Sequence, residues 1–182
     1  MSQTQPRPLH HNTPLLYSHA LSRAAGTHVW LKMDALQPTG SFKLRGIGHA
    51  CQTYAANGAT RFVSSSGGNA GIAAAYAGQQ LDVPVTVYVP ETTTPGAIAQ
   101  IEMHQAEVTI VGRSWQEANE VALASCSPSD AFIHPFDDPL LWQGHASLVS
   151  EIATLGLTPG AIVTAVGGGG LHCAIPRAMP LS

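Results

Sequence analysis

An α/β fold built on a mostly parallel sheet is what this sequence predicts, on three observations. Short apolar runs alternate with amphipathic stretches at the spacing of βαβ units. Charged residues are 10% of the chain and apolar residues 45%, against a usual charged share of about a quarter. Glycine is frequent, at 18 of 182 residues, which suits a buried parallel sheet joined by tight βα turns.

Taken in order, strands are expected at 28–32 (HVWLK), 61–65 (RFVSS), 85–89 (VTVYV), 107–111 (EVTIV), 131–134 (AFIH) and 161–166 (AIVTAV). Helices are expected at about 41–55, 69–80, 95–105, 114–125 and 144–155. Ser41 is a good N-cap for the first, and Pro95 suits the first turn of the third. Ser114 caps the fourth, with Glu117 three residues later completing a capping box. Residues 61–134 thus carry a run of strand-helix units sufficient for a compact subdomain, and Pro135-Phe136-Asp137-Asp138-Pro139 breaks the pattern as a crossover.

Composition excludes several classes. Net charge is −3 with no basic run, so nucleic acid is not expected as a partner. The three cysteines are far apart and odd in number, which points to a reduced compartment. None of the nine histidines, His10-His11 included, has metal-site spacing with a cysteine or carboxylate, so no metal is expected. The N-terminus lacks an apolar signal core and no run reaches membrane-spanning length. A cytoplasmic protein is the expectation.

Three strings carry chemistry. The first is Gln37-Pro38-Thr39-Gly40-Ser41-Phe42-Lys43-Leu44-Arg45-Gly46. A lysine just inside a helix start opposes the helix dipole, so something else should hold Lys43. A lysine that forms an imine needs a fixed position and, for part of its cycle, a neutral amine, which desolvation promotes. Arg45 is near in sequence, but on a helix it points to a different side. Phe42 offers a flat apolar surface beside the lysine. The second string, Ser64-Ser65-Ser66-Gly67-Gly68-Asn69-Ala70-Gly71, ends a strand and opens a helix. Such a junction presents free backbone N–H groups to an anion, or serves only close strand-helix packing. Its spacing is not G-x-G-x-x-G and no acidic residue ends the following strand, so a dinucleotide site is excluded. The third, Gly167-Gly168-Gly169-Gly170-Leu171, follows an apolar run directly and allows successive N–H groups to wrap a phosphate.

In that order the three strings resemble the fold-type II enzymes dependent on pyridoxal 5'-phosphate (PLP), and within them the serine/threonine dehydratases. The details at Pro38-Thr39-Gly40, Gly46-Ile47-Gly48-His49 and Gly144-His145-Ala146-Ser147 are closest to the L-serine dehydratase (serine ammonia-lyase) branch. Asn12-Thr13-Pro14-Leu15 resembles the family's N-terminal approach, and the likeness is nearly continuous from about residue 10 to residue 173. It implies that Lys43 is the catalytic Schiff-base lysine, that Phe42 packs on the cofactor ring, and that Gly167, Gly168, Gly169, Gly170 and Leu171 hold its phosphate. It further implies that Ser66, Gly67, Asn69 and Ala70 hold the substrate carboxylate, Asn69 also bonding the cofactor's ring hydroxyl. The activity implied is deamination of L-serine or L-threonine to pyruvate or 2-oxobutanoate plus ammonia, in a homodimer.

The same likeness divides the chain into a small α/β domain at 41–143 and a partial large PLP-binding domain from 1–40 and 144–182. The family continues past the tetraglycine loop with a helix and about half of its larger domain, which would supply the partner of the pyridine nitrogen. Here Pro176 and Pro180 are expected to disfavour that helix. Strand 161–166 is expected to be left as an unpaired edge with exposed apolar surface. Two other readings stay open: a same-fold racemase or β-replacing synthase, and a non-catalytic truncated relative that binds an amino acid or a full-length partner.

Overall fold

A computed structural model describes residues 7–178. The chain opens with β1 (Leu15–Tyr17) and α1 (His19–Ala25), followed by β2 (Trp30–Lys32). β1 and β2 pair antiparallel, Tyr17 opposite Trp30, with the two rings edge to face at 5.2 Å. The strand expected at 28–32 is therefore shorter and belongs to a separate two-stranded sheet. Neither β1 nor α1 is predicted, because three and seven residues are too few to show a period. α1 is made locally: Ser18 Oγ accepts the Leu21 N–H, and Gly26 ends the helix at φ 64°.

The main sheet is parallel, as expected. β3 (Arg61–Ser64), β4 (Val85–Val89), β5 (Glu107–Ile110) and β6 (Asp130–Ile133) lie in the order β5-β4-β3-β6. The chain steps outward from β3 to β5, then returns to place β6 on the other side of β3. The connecting helices are α3 (Asn69–Leu81), α4 (Pro95–Glu102) and α5 (Trp115–Ala124), and α2 (Lys43–Ala56) precedes β3. Central β3 buries Phe62, Val63 and Ser64, whereas edge strand β5 leaves Glu107 and Ile110 exposed. One core joins Phe62, Val85, Val87 and Ile133 to the buried alanines of α3 and to Leu44 and Ile47 of α2.

Helix ends follow the expected chemistry in part. Thr94 Oγ1 accepts the Ala97 N–H ahead of Pro95, and Ser114 Oγ accepts the Glu117 N–H. The box at Ser114 closes one residue out, since the Glu117 carboxylate accepts from Arg113 N. Ser41 does not cap α2. Phe42 takes that position with helical angles, and Ser41 Oγ is buried without a hydrogen-bond partner among the described residues. α6 (Pro139–Thr154) begins five residues before the expected 144. The prolines of the crossover read as breakers, yet Pro139 follows the N-cap Asp138, whose Oδ1 accepts the Leu140 N–H, and proline is at home there.

α2 and α6 cross backbone to backbone. A Cβ on Gly46 would lie 2.6 Å from the Leu141 carbonyl oxygen, and one on Gly144 would strike the Arg45 carbonyl oxygen and lie 2.7 Å from Gly46 Cα. Beside this crossing sits an ion cluster. Arg45, with no exposed surface, donates to Asp34 (Nε–Oδ2 2.8 Å), to Glu151 (Nη1–Oε1 2.6 Å) and to Ser147 Oγ (3.0 Å). Lys32 donates to Glu151 and to the Thr13 carbonyl. Burial alone would raise the Asp34 and Glu151 pKa values, but the hydrogen bonds from Arg45 overcome it and hold both carboxyls below their ordinary range. The cluster ties the N-terminal hairpin and the turn at Asp34 to α2 and α6.

Residues 161–166 are not a strand. No neighbouring strand pairs with the segment among the described residues, and an extended run without a ladder is no sheet. Val163 is 95% exposed and Val166 62%, the bare apolar surface anticipated for an unpaired edge. The expectation for Pro176 is overturned: α7 (Gly170–Ala178) forms with Pro176 inside it. The proline forfeits one backbone bond near the helix end, and docking offsets that loss. Leu171 and Ile175 join Leu148, Val149 and Ile152 of α6 in a second small core, and the Arg177 guanidinium lies 4.4 Å over the Trp142 ring. Pro180 lies outside the described residues.

Candidate active site

The chain has two lysines, Lys32 and Lys43. Lys32 is committed to Glu151. Lys43, the first residue of α2, is half-buried and its Nζ donates to the Pro135 carbonyl oxygen at 2.6 Å. Burial pushes its pKa below the usual lysine value. The helix start works in the same direction, since no side chain caps α2 and its dipole disfavours a cation there. Arg45 faces the ion cluster and not Lys43, as helical geometry predicts. The Lys43 amine is thus fixed in place and eased toward its neutral form, the two needs of a nucleophilic or proton-accepting amine.

Pro135 belongs to the loop His134–Asp138 at the carboxyl end of β6, and this loop gathers the other parts. β3 and β6 are neighbours there, with Ser64 Oγ donating to the Ile133 carbonyl at 3.4 Å. The Phe136 ring lies on the tetraglycine loop, where a Cβ on Gly168 would run into it, and a Cβ on Gly170 would sit 2.6 Å from the Phe136 carbonyl oxygen. Gly169 has φ 84°, which a side chain would oppose. Trp142 Nε1 donates to that same Phe136 carbonyl at 3.0 Å. Gly167 is exposed, and Leu171 turns its side chain into the second core, leaving its backbone as the part available to a ligand.

The serine-glycine string leaves β3 at the same sheet end. Ser65 Oγ donates to Asn119 Oδ1 at 2.8 Å, which anchors its base. Ser66 and Gly67 are half-buried, Asn69 is exposed as the first residue of α3, and Ala70 is buried. Thr93 closes on Gly67, where a Cβ would lie 2.7 Å from its methyl group. No side chain caps α3, so its first-turn N–H groups face outward, unspent and suited to an anion. Phe42 borders Lys43, whose Nζ is 5.4 Å from the ring centroid, meets the edge of His145 at 5.1 Å, and packs against the second small core.

All three strings therefore meet at the carboxyl ends of β3 and β6, where the strand order reverses, the customary place for ligands in open α/β sheets. Sequence reasoning missed four residues here: Thr93, His134, Phe136 and His145. The available signal was position, since an aromatic and a histidine directly following an apolar strand fall at the ligand end of such a sheet. Among the described residues no group of three or more His, Cys, Asp or Glu could hold a metal ion, and no helix is long and apolar enough to cross a membrane. The site suits an anionic aldehyde cofactor: an uncommitted, part-desolvated amine, and a glycine loop opening α7 with its backbone kept bare.

Comparison with known proteins agrees. The family model described as pyridoxal-phosphate dependent enzyme matches residues 7–180, so the likeness extends past residue 173. The chain is 53% identical over 175 residues to a human L-serine dehydratase/L-threonine deaminase, covering 94% of this chain and 53% of that protein. A fungal L-serine ammonia-lyase from Rhizomucor miehei superposes with a TM-score of 0.88 at 33% identity, covering 94% of this chain and 56% of the other. A serine racemase from Dictyostelium discoideum superposes at 0.82 with 30% identity, covering 92% and 56%. The chain spans about half the length of the curated relatives it matches. With an α/β fold shared with fold-type II enzymes and a family model that matches nearly its whole length, this chain belongs to the pyridoxal-phosphate dependent enzyme family.

Proposed function

We propose that this chain carries the lysine-bearing part of a PLP-dependent ammonia-lyase that deaminates L-serine or L-threonine to pyruvate or 2-oxobutanoate. The observation that carries the reading is the Lys43 amine, paired with no carboxylate among the described residues and held by the same loop on which the tetraglycine string lies. The N–H groups of Gly167–Gly170 and the start of α7 would hold the cofactor's phosphate, Phe42 would flank its ring, and Asn69 would reach its ring hydroxyl. When bound, PLP supplies an electron sink for the carbanion formed at the substrate's Cα.

The protein's share is orientation and proton control. Ser66, Gly67, Asn69 and Ala70 would fix the substrate carboxylate at the α3 start, which aims Cα–H at Lys43. The Lys43 amine would take that proton, since burial lowers its pKa and favours the neutral form that can accept one. Domain division at 41–143 belongs to the same reading and is supported by the second small core, drawn from the flanking segments except for Phe42.

Borohydride reduction after incubation with PLP tests the cofactor claim. The expected label is on Lys43, and a K43A chain should retain no label; a label on Lys32 alone, or none, sinks it. Release of pyruvate and 2-oxobutanoate, measured against racemisation of the same amino acids, separates the lyase from the racemase that the Dictyostelium structure keeps in view.

A further inference from the structure

Two backbone amides of the loop under Lys43 converge on one atom. His134 Nδ1 accepts the N–H of Phe136 at 3.2 Å and the N–H of Asp137 at 2.8 Å. Two donors on one ring nitrogen require that nitrogen's lone pair, so the proton resides on Nε2 and the imidazole is neutral. The ring also fills space, lying edge-on to Phe136 at 4.7 Å and to Phe132 at 6.2 Å. The two amides so bound bracket the residue whose ring meets Gly168, and they follow directly on the Pro135 carbonyl that holds Lys43.

We propose that His134 is a positioning residue of this site: by accepting both loop amides it sets the Pro135 carbonyl against Lys43 and the Phe136 ring against the glycine loop. The inference rests on the reading of Lys43 as the reactive lysine. His134 touches neither Lys43 nor the glycine loop by hydrogen bond; it acts through the turn between them. What it controls is the depth of the amine. A loosened turn admits water to Lys43 and withdraws the surface on which the tetraglycine loop lies.

The test exploits the scarcity of lysines and needs no cofactor. Reductive methylation with ¹³C-formaldehyde labels Lys43, Lys32 and the N-terminal amine in the full PLP-free chain, and NMR follows each titration. H134F keeps a ring and loses the acceptor; H134N offers Oδ1 where Nδ1 stood. In H134F the Lys43 pKa should rise toward the ordinary lysine value by about half a unit or more as desolvation is relieved, while Lys32 stays put. In H134N it should stay within error of the wild type, and the Phe136 and Asp137 amides should remain protected from exchange. A wild-type Lys43 titration in H134F overturns the proposal, as does a folded H134N that behaves like H134F. If H134F fails to fold, H134N decides by the same criterion. Because the measurement is made without PLP, a cofactor that binds elsewhere would show in the borohydride experiment and leave this result standing.

Discussion

His145 sits against Phe42 at the α2–α6 crossing with neither ring nitrogen hydrogen-bonded among the described residues and no exposed surface. Burial, then the positive charges of Lys43 and Arg45, push its pKa down to about 3. An unfolded chain takes up this proton near the ordinary value of about 6.5, so between those values the unfolded state binds more protons and stability falls with falling pH. The contribution is complete above the unfolded value and is lost on the way down to the folded one. From pH 7 to pH 5, above the range where Asp34 and Glu151 titrate, this one group should cost roughly 2 kcal/mol. Urea unfolding of H145Q at both pH values should show a pH dependence smaller by that amount; an unchanged dependence contradicts the assignment. The Lys43 string stood out in the sequence because ten consecutive residues carry its family likeness. His134 and His145 did not, since a histidine's neighbours across a loop or a helix crossing leave no local pattern.

Among the elements, the α2–α6 crossing decides how the Lys43 helix is seated. G144A would drive a methyl into the Arg45 carbonyl and Gly46 Cα, contacts that are backbone and cannot turn aside. Overpacking of this kind should cost about 1–3 kcal/mol even after the helix propensity gained. G96A, in the exposed part of α4 with open space around it, should stabilise by about 0.5–1 kcal/mol. Opposite signs in chemical denaturation are the expected result; two stabilising substitutions would show that the crossing is loose. Period and composition sufficed for β4, α3 and β6 because each is long enough and apolar enough to show its pattern. They failed where the deciding partner is distant: α6 starts early because Asp138 caps it, and Ser41 gives up its cap because it is buried.

On the scale of the molecule, the parallel sheet was legible from strand-helix alternation, whereas the place of the tetraglycine loop was not, because the run that leads into it forms no strand. What alternation cannot say is whether a run finds a neighbour. Residues 161–166 are as apolar as a strand and have none, and Val163 stands almost fully in water. Exposed apolar edges of this sort invite association. V163K should reduce concentration-dependent light scattering of the purified chain while leaving its far-ultraviolet circular dichroism unchanged; undiminished scattering would place the sticky surface elsewhere.

Dissolved salt weakens attraction only between charges that its ions can approach. Arg61 and Asp130, at the amino end of the sheet, form such a pair, with the arginine side chain 31% exposed. The Arg45 cluster is the opposite case. Its two cations and two carboxylates cancel, and its side chains keep between 0 and 12% of their surface in water. Ionic strength therefore acts on the rim of the sheet and leaves the join between the N-terminal hairpin and the Lys43 helix alone, so the lysine's setting is insulated from the electrolyte around it.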